Sequence, residues 1–307
     1  METPSISIII PTKDRTQLLN ATLDKLFEAI EKFNIEILVI NDSKDSRPDL
    51  VRFKNKLECL DNPGNGVASA RNHGAKNAKG EWLIFLDDDM IVSKENIKSY
   101  IKHTINSQKV TINIEWEYPV QVIDKIKENS FGRFLIEHGF TSLRGWCNNP
   151  EWMVNTMNVV SGITSQNLLI NKRSFLDTGG YNEDFPLAGF EDYALSRELQ
   201  KHGFTMYVDT TSLMYHNEID RLSPNEWFKR KERGGITRKV AVELGYTEIT
   251  IQYSFAKKIF YFLTPFIEPA IKFILAFSSK FKLIDALSFA CYKMLLGISI
   301  YKGYTKK

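Results

Sequence analysis

Three carboxylates in a row, Asp87-Asp88-Asp89, directly follow the apolar run Trp82–Leu86 (WLIFL). Adjacent carboxylates repel one another, and at the end of a buried strand solvent alone does not relieve them. A divalent cation does, and carboxylate oxygens are the ligands that Mg²⁺ and Mn²⁺ prefer. A solvated acidic turn has the same composition. Position separates the two readings, because the uncharged WLIFL run puts the cluster where a buried strand ends.

Four further positions carry chemistry of the same kind. Asp42 ends IEILVIND, where Asn-Asp-Ser is an ordinary turn, the stronger reading of this residue alone; the other is a carboxylate that accepts a hydrogen bond from a nucleotide base. Arg71 lies in GVASARNHGAKNAKG, beside Asn72; Gly66, Ala68, Ala70, Gly74, Ala75 and Ala78 there let a helix approach a sheet closely. Its planar fork suits a diphosphate or a surface ion pair. Glu191-Asp192 opens a helix after Leu187–Phe190. The helix dipole favours acids at that place, and a carboxylate is also what deprotonation of an acceptor hydroxyl requires. His216 follows a strand-like segment; it is a surface or core histidine unless the fold brings it to the aspartate cluster.

Strands and helices must position these groups. Ser5–Pro11 reads as a strand, Thr16–Phe33 as a helix, Ile35–Ile40 as a second strand, Asn65–Lys79 as a helix and Trp82–Leu86 as a third strand. Strands separated by helices imply a mainly parallel sheet, with ligands beyond the carboxyl ends of the strands. Asp42 and Asp87–Asp89 stand at those ends. Residues 110–160 give no clear pattern beyond VTINIEW and a helix candidate over 122–138. Later signals are a strand at Ser165–Ile170, the Gly179-Gly180 turn, a helix over Glu191–His202 and a strand at Met206–Val208.

Composition bounds the rest. Of the 307 residues 43% are hydrophobic and 25% charged, ordinary for a chain with a real core. Cys59, Cys147 and Cys291 are odd in number and widely spaced, which points to a reducing compartment. METPSISIIIPTKDR has no basic segment followed by a long apolar run, so the expectation is a cytoplasmic chain without a secretory signal. The net charge of +3 hides an asymmetry: residues 251–307 carry nine Lys, no Arg and only Glu268 and Asp285 as acids, a net of +7. Something anionic is the implied contact of this segment. Ile259–Phe277 and Leu283–Tyr301 are apolar and aromatic-rich but interrupted by Pro265, Glu268, Pro269, Lys272, Asp285 and Lys293. They read better as helices lying in a bilayer interface than as spans. With Lys and no Arg, the segment lacks the residue best suited to reading bases, so nucleic acid is not expected as a partner.

Taken together and in this order, the motifs over residues 5–217 resemble the family 2 glycosyltransferases, of the GT-A fold. The resemblance implies an α/β, Rossmann-like domain with a mainly parallel sheet flanked by helices; the apolar, Lys-rich character of 251–307 adds a C-terminal helical, membrane-associated extension. SIIIPTKDR, with Pro11, Thr12, Asp14 and Arg15, opens the nucleotide site. Asp42 holds the base, Arg71 lies near the diphosphate, and Asp87-Asp88-Asp89 is the DxD motif. Asp87 and Asp88 belong to the nucleotide sugar, and Asp89 is the metal ligand, joined by His216. Asn167 and Glu191 fall on the acceptor side, and Asp192 falls at the catalytic base.

The activity so implied is inverting transfer of one sugar from a UDP- or dTDP-sugar to a hydroxyl of a glycan or lipid-linked acceptor, with Mn²⁺ or Mg²⁺ as cofactor. The QxxRW motif of processive synthases is absent; the nearest region reads EWFKRKERGG at 226–235. The implied organisation is a catalytic domain at 1–220, with a nucleotide-sugar half at 1–90 and an acceptor half at 91–220. A connecting helical segment at 221–250 and the basic region 251–307 follow, the last resting on the inner face of the cell membrane. Two other functions would leave different marks on the sequence. A noncatalytic nucleotide-sugar-binding or scaffold protein predicts loss of the metal acids or the base. A nucleotidyltransferase predicts a glycine-rich loop after the first strand, and PTKDRTQLL has no glycine.

Overall fold

The computed structural model describes residues 5–104, 108–278 and 282–306; Lys280 and Lys307 of the basic stretch lie outside the described residues. Among the described residues nine strands form one sheet: β1 (Ile6–Thr12), β2 (Ile35–Asn41), β3 (Glu58–Asp61), β4 (Trp82–Leu86), β5 (Met90–Ile91), β6 (Val110–Glu117), β7 (Met157–Val160), β8 (Asn167–Asn171) and β9 (Thr205–His216). The helices are α1 (Thr16–Ile30), α2 (Gly66–Asn77), α3 (Lys94–His103), α4 (Val120–Ile126), α5 (Ser130–Glu137), α6 (Leu143–Trp146), α7 (Lys172–Asp177), α8 (Glu191–Lys201), α9 (Pro224–Glu243), α10 (Phe255–Phe262), α11 (Thr264–Ser278) and α12 (Asp285–Thr305).

The chain forms two compact units that do not follow sequence order. The first comprises Met1–Glu117, Glu151–Pro186 and Glu191–Asn217; the second comprises Tyr118–Pro150, Leu187–Phe190 and Glu218–Lys307.

The first unit holds the sheet, in the order β3-β2-β1-β4-β8-β6-β9-β5, with β7 paired to β9. The β3-β2-β1-β4 half is parallel. Every residue of β1 and β4 is buried, as expected of strands covered on both faces. Beyond β4 the sheet is mixed: β8 runs antiparallel to both β4 and β6, and β6 runs parallel to β9. α2 lies close on the parallel half. A Cβ on Gly74 would come within 2.4 Å of the Ile9 side chain, so the small residues of this helix set its depth on the sheet.

Where the sequence reads as one strand at Met206–Val208, β9 extends to His216. A bulge between Ile114 and Glu115 lets β6 follow it, shifting the pairing from Asp209 to Leu213. β5 then pairs antiparallel with the end of β9, Met90 opposite His216.

The second unit is helical. The stretch read as one helix over 122–138 is two, because the Asn129 side chain caps the second by accepting from the Gly132 amide at 2.8 Å. Phe131, Phe134, Trp227 and Tyr292 form the core where α5, α9 and α12 meet. α9 and α12 cross in backbone contact: a Cβ on Gly303 would sit 1.9 Å from the Glu232 carbonyl oxygen. The apolar run over 259–277 breaks into α10 and α11 at Leu263, where Pro265 lies at the second position of the new helix, a place that lacks a helical N–H partner in any case. Lys282–Thr305 is long and apolar enough to cross a membrane by length and composition.

Candidate active site

The parallel register aligns Thr12 with Asn41, so the loops after β1, β2 and β4 open on the same edge of the first unit. The Asp42 amide donates to the Thr12 carbonyl at 2.8 Å. The Asp42 carboxylate accepts from Asn62 Nδ2 at 2.6 Å and from the Gly66 amide at 3.0 Å, with Lys13 Nζ at 3.8 Å. Asp42 is thus clamped to the start of α2. Asp14 turns the chain after β1 with a left-handed φ of 54°. Its carboxylate accepts from the Ser43 hydroxyl, and from Ser46 Oγ at 2.8 Å. These hydroxyls, Ser43 first, hold it below the usual carboxylate range. Pro11 and Thr12 end β1 and are buried.

The three adjacent aspartates diverge. Asp87 is the most exposed and takes Arg71 Nη2 at 2.9 Å. Asp88 is turned inward, accepting from Thr12 Oγ1 at 2.7 Å and from Arg15 Nη1. Burial, then the charge of Asp89, pushes its pKa up to about 7 against the pull of Arg15. Asp89 is 1% exposed. One of its oxygens takes Arg15 Nη2 at 2.7 Å and the other lies 3.1 Å from His216 Nε2. The register of β5 on β9 makes this pair, and the Asn217 amide donates to the Asp89 carbonyl at 2.8 Å. Trp116 on β6 holds the imidazole edge-on, with ring centroids 4.9 Å apart. A carboxylate and an imidazole nitrogen on one spot are a donor set that fits a divalent cation.

Arg71 is 4% exposed and bridges two carboxylates: besides Asp87, its Nη1 lies 3.4 Å from Glu191 Oε1. Its guanidinium stacks over the Tyr181 ring at 5.3 Å, and its Nε has no hydrogen-bond partner. Burial would lower the pKa, but Asp87 and the other charged neighbours hold it above the ordinary arginine value. Asn72, one residue on, clamps the segment that carries Tyr181. Its Nδ2 donates to the Tyr181 carbonyl at 2.8 Å and its Oδ1 accepts from the Tyr181 amide at 2.9 Å.

Asp192, at the second position of α8, accepts from the Ser165 hydroxyl and from the Ser165 amide at 3.1 Å. Ser165 Oγ also lies 2.6 Å from Tyr181 Oη. Burial first, and then the charge of Glu191, pushes the Asp192 carboxyl up to about 7, opposed by Arg71 and Ser165. The sequence did not mark Ser165 and Tyr181, which hydrogen bonding links to Asp192; a serine before QNLLI and a tyrosine after a Gly-Gly turn carry no periodic signal.

Asn167 is fully buried. Its amide brackets Ile114, donating to that carbonyl at 3.0 Å and accepting that amide at 3.0 Å. The side chain therefore braces β8 against β6, and the Asp87 amide reaches the same segment through the Gln166 carbonyl at 2.9 Å.

The family model for Glycosyl transferase family 2 matches residues 7–152, which include Asp42, Arg71 and the three aspartates. Over those residues, just under half of the chain, it is similar to family 2 of the glycosyltransferases. This glycosyltransferase is 27% identical over 214 residues to an uncharacterised glycosyltransferase of Haemophilus influenzae, covering 68% of this chain and 67% of that one. It is 25% identical over 256 residues to the UDP-Glc:alpha-D-GlcNAc-diphosphoundecaprenol beta-1,3-glucosyltransferase WfaP of Escherichia coli, covering 81% of this chain and 91% of that protein. Its fold is similar to that of the mannosyltransferase PcManGT from Pyrobaculum calidifontis in complex with GDP-Man and Mn2+, with a TM-score of 0.59, 13% identity and coverage of 100% of this chain and 89% of the other. The enzyme has the α/β, GT-A class expected from its sequence.

Proposed function

We propose that this glycosyltransferase moves a single sugar, with inversion, from a UDP- or dTDP-sugar to a hydroxyl of a lipid-linked glycan at the inner face of the cell membrane. The observation that carries the reading is Arg71, which joins Asp87 on the donor side to Glu191 on the acceptor side, beside a carboxylate whose pKa is raised toward neutrality. The Escherichia coli relative, named for a UDP-glucose donor and a diphosphoundecaprenol-linked acceptor, supports the donor and acceptor classes.

In this reading the clamped carboxylate of Asp42 accepts an N–H of the base, while Pro11, Thr12, Asp14 and Arg15 shape the floor of the nucleotide site. Arg71 faces the diphosphate, and Asp87 and Asp88 orient the donor, Asp88 from beneath. Asp89 and His216 hold Mn²⁺ or Mg²⁺, which when bound supplies positive charge for the departing diphosphate. Asp192 takes the proton of the acceptor hydroxyl as its oxygen bonds to the anomeric carbon. The bond from that carbon to the diphosphate oxygen breaks, and its electron pair leaves with the nucleotide. Attack and departure on opposite faces invert the centre in one displacement. Glu191 keeps Arg71 aimed, and Asn167 keeps the acceptor-side strand in register. In this proposal donor binding falls to residues 1–90, acceptor binding to 91–220, connection to 221–250 and membrane contact to 251–307.

The test is release of nucleoside diphosphate from a panel of nucleotide sugars with Mn²⁺ or Mg²⁺, using Asp89→Ala and Asp192→Ala as controls. Metal-dependent hydrolysis of one donor, abolished by Asp89→Ala, is expected. Absence of both hydrolysis and nucleotide binding across the panel overturns the reading.

A further inference from the structure

α11 has two apolar faces. One is spent inside the second unit: Thr264, Ile271 and Ser278 are buried there, with Ile271 packed against Cys291, Leu295 and Ile298. The other has no protein against it among the described residues. Phe266, Phe273 and Phe277 recur at helical spacing on this open side, and Phe255 and Phe262 continue it on α10. Phe262 is 81% and Phe266 79% exposed. Soluble proteins rarely leave a contiguous aromatic stripe of this kind in water.

The charges beside the stripe are of one sign. Lys258 lies one turn from both Phe255 and Phe262. Among the described residues Lys257, Lys258 and Lys282 are exposed and make no ion pair. Glu268, the acid of α11, is neutralised by Lys272 at 2.7 Å and Lys302 at 2.5 Å. An apolar strip with the unpaired Lys258 ammonium at its side, in a segment of net positive charge, complements a surface that is apolar within and anionic at its rim.

α12, which has the length and composition to span, is tied down by polar bonds. Arg133 forks onto Asp285 at 2.6 and 2.7 Å, Ser288 Oγ donates to Ser278 Oγ at 2.8 Å, and Tyr292 Oη lies 3.0 Å from Ser130 Oγ. A bilayer-spanning α12 would lose all of these and leave the groups unsatisfied in hydrocarbon.

We propose that the open face of α10 and α11 lies in the plane of an anionic phospholipid bilayer, phenylalanines at the acyl boundary and lysines at the phosphates, while α12 stays within the protein. The inference rests on the membrane placement of residues 251–307 given above, and it names the face and the mode.

The test is co-sedimentation of the full chain with vesicles of phosphatidylcholine alone or mixed equally with phosphatidylglycerol. Binding to the anionic vesicles only, weakened by salt, is expected. Phe262→Ser/Phe266→Ser/Phe273→Ser should cut partitioning about 100-fold, and Lys258→Gln or Lys282→Gln about 5-fold each. Donor hydrolysis in solution and the thermal melt of each variant check that the fold and the catalytic reading stand independently. Alkaline carbonate should release the protein from membranes. Retention after carbonate would overturn the proposal in favour of a spanning α12. Undiminished vesicle binding by the triple variant would overturn the face while leaving membrane placement intact. Absence of binding to anionic vesicles would sink both. So would a lipid-free dimer that the triple variant dissociates without any vesicle binding, since a second copy would then cover the stripe.

Discussion

Asp89 and His216 stand 127 positions apart, yet a carboxylate oxygen of the first lies 3.1 Å from Nε2 of the second. The contact joins the loop after β4 to the last residue of β9, and Arg15 holds the other Asp89 oxygen. If this pair binds the cation, His216→Ala and Asp89→Ala each lower metal-dependent donor hydrolysis by more than about 100-fold. Chelation abolishes the wild-type reaction and Mn²⁺ restores it. Titration of Mn²⁺ binding by calorimetry checks the assignment directly, because weakened affinity in His216→Ala separates a ligand from a residue that merely packs on Trp116.

Asp192 titrates near pH 7 through burial and the charge of Glu191. A general base works deprotonated, so kcat/KM should climb as pH rises through about 7 and level off above it. Glu191→Gln removes the negative neighbour and should move the acid limb to lower pH. Asp192→Asn should leave a low, flat profile. A limb that stays put in Glu191→Gln would assign it to another group.

Lys231 on α9 sits in an aromatic cage, with Nζ 4.6 Å from the Trp227 ring centre and 5.1 Å from those of Phe140 and Trp146. Burial lowers its pKa from 10.5 to about 8, helped by Arg230 and opposed by Glu218. The ammonium therefore carries its burial penalty in full below pH 8. The penalty fades as the folded state loses its proton between about 8 and 10.5, so stability rises with pH across that window. The penalty is about 3 kcal/mol and the three rings return about 1–2 kcal/mol. Lys231→Met should then stabilise the protein by about 1 kcal/mol at pH 7, with the gain vanishing near pH 10.5. Thermal melts across that range check it.

Asp209 lies at the bulge of β9, fully buried, accepting from the Ser99 hydroxyl, from the Thr211 amide at 2.7 Å and from His103 Nε2 at 3.3 Å. Burial alone would raise its pKa, but these donors hold it at about 2. A depressed folded pKa contributes stability above the unfolded value, about 4, that is lost as pH falls toward 2. The contribution is about 2 kcal/mol. Asp209→Asn should lower the urea midpoint clearly at pH 7 and far less near pH 2.5, the difference tracing the titration.

Much of this enzyme is written locally in its sequence. The alternation of β1, α1, β2, α2 and β4 is a matter of period and punctuation, and the small residues of α2 and the acids that follow WLIFL are readable without any partner in view. What the sequence could not determine depends on pairing at a distance. Whether His216 is a surface histidine or a ligand hangs on the register of β5 with β9 and on the bulge that shifts it. Ser165 and Tyr181 acquire meaning only where Asp192 meets them. Asn167 looks in sequence like any polar residue of an acceptor pocket, and folding spends its amide on Ile114 and Asn113. In the C-terminal helices, composition marks which residues are apolar, but only packing decides which of two apolar faces of α11 is covered and which is left open. Propensity and periodicity act within a few residues; register, burial and ion pairing are settled among residues a hundred positions apart, and those are properties of the folded chain.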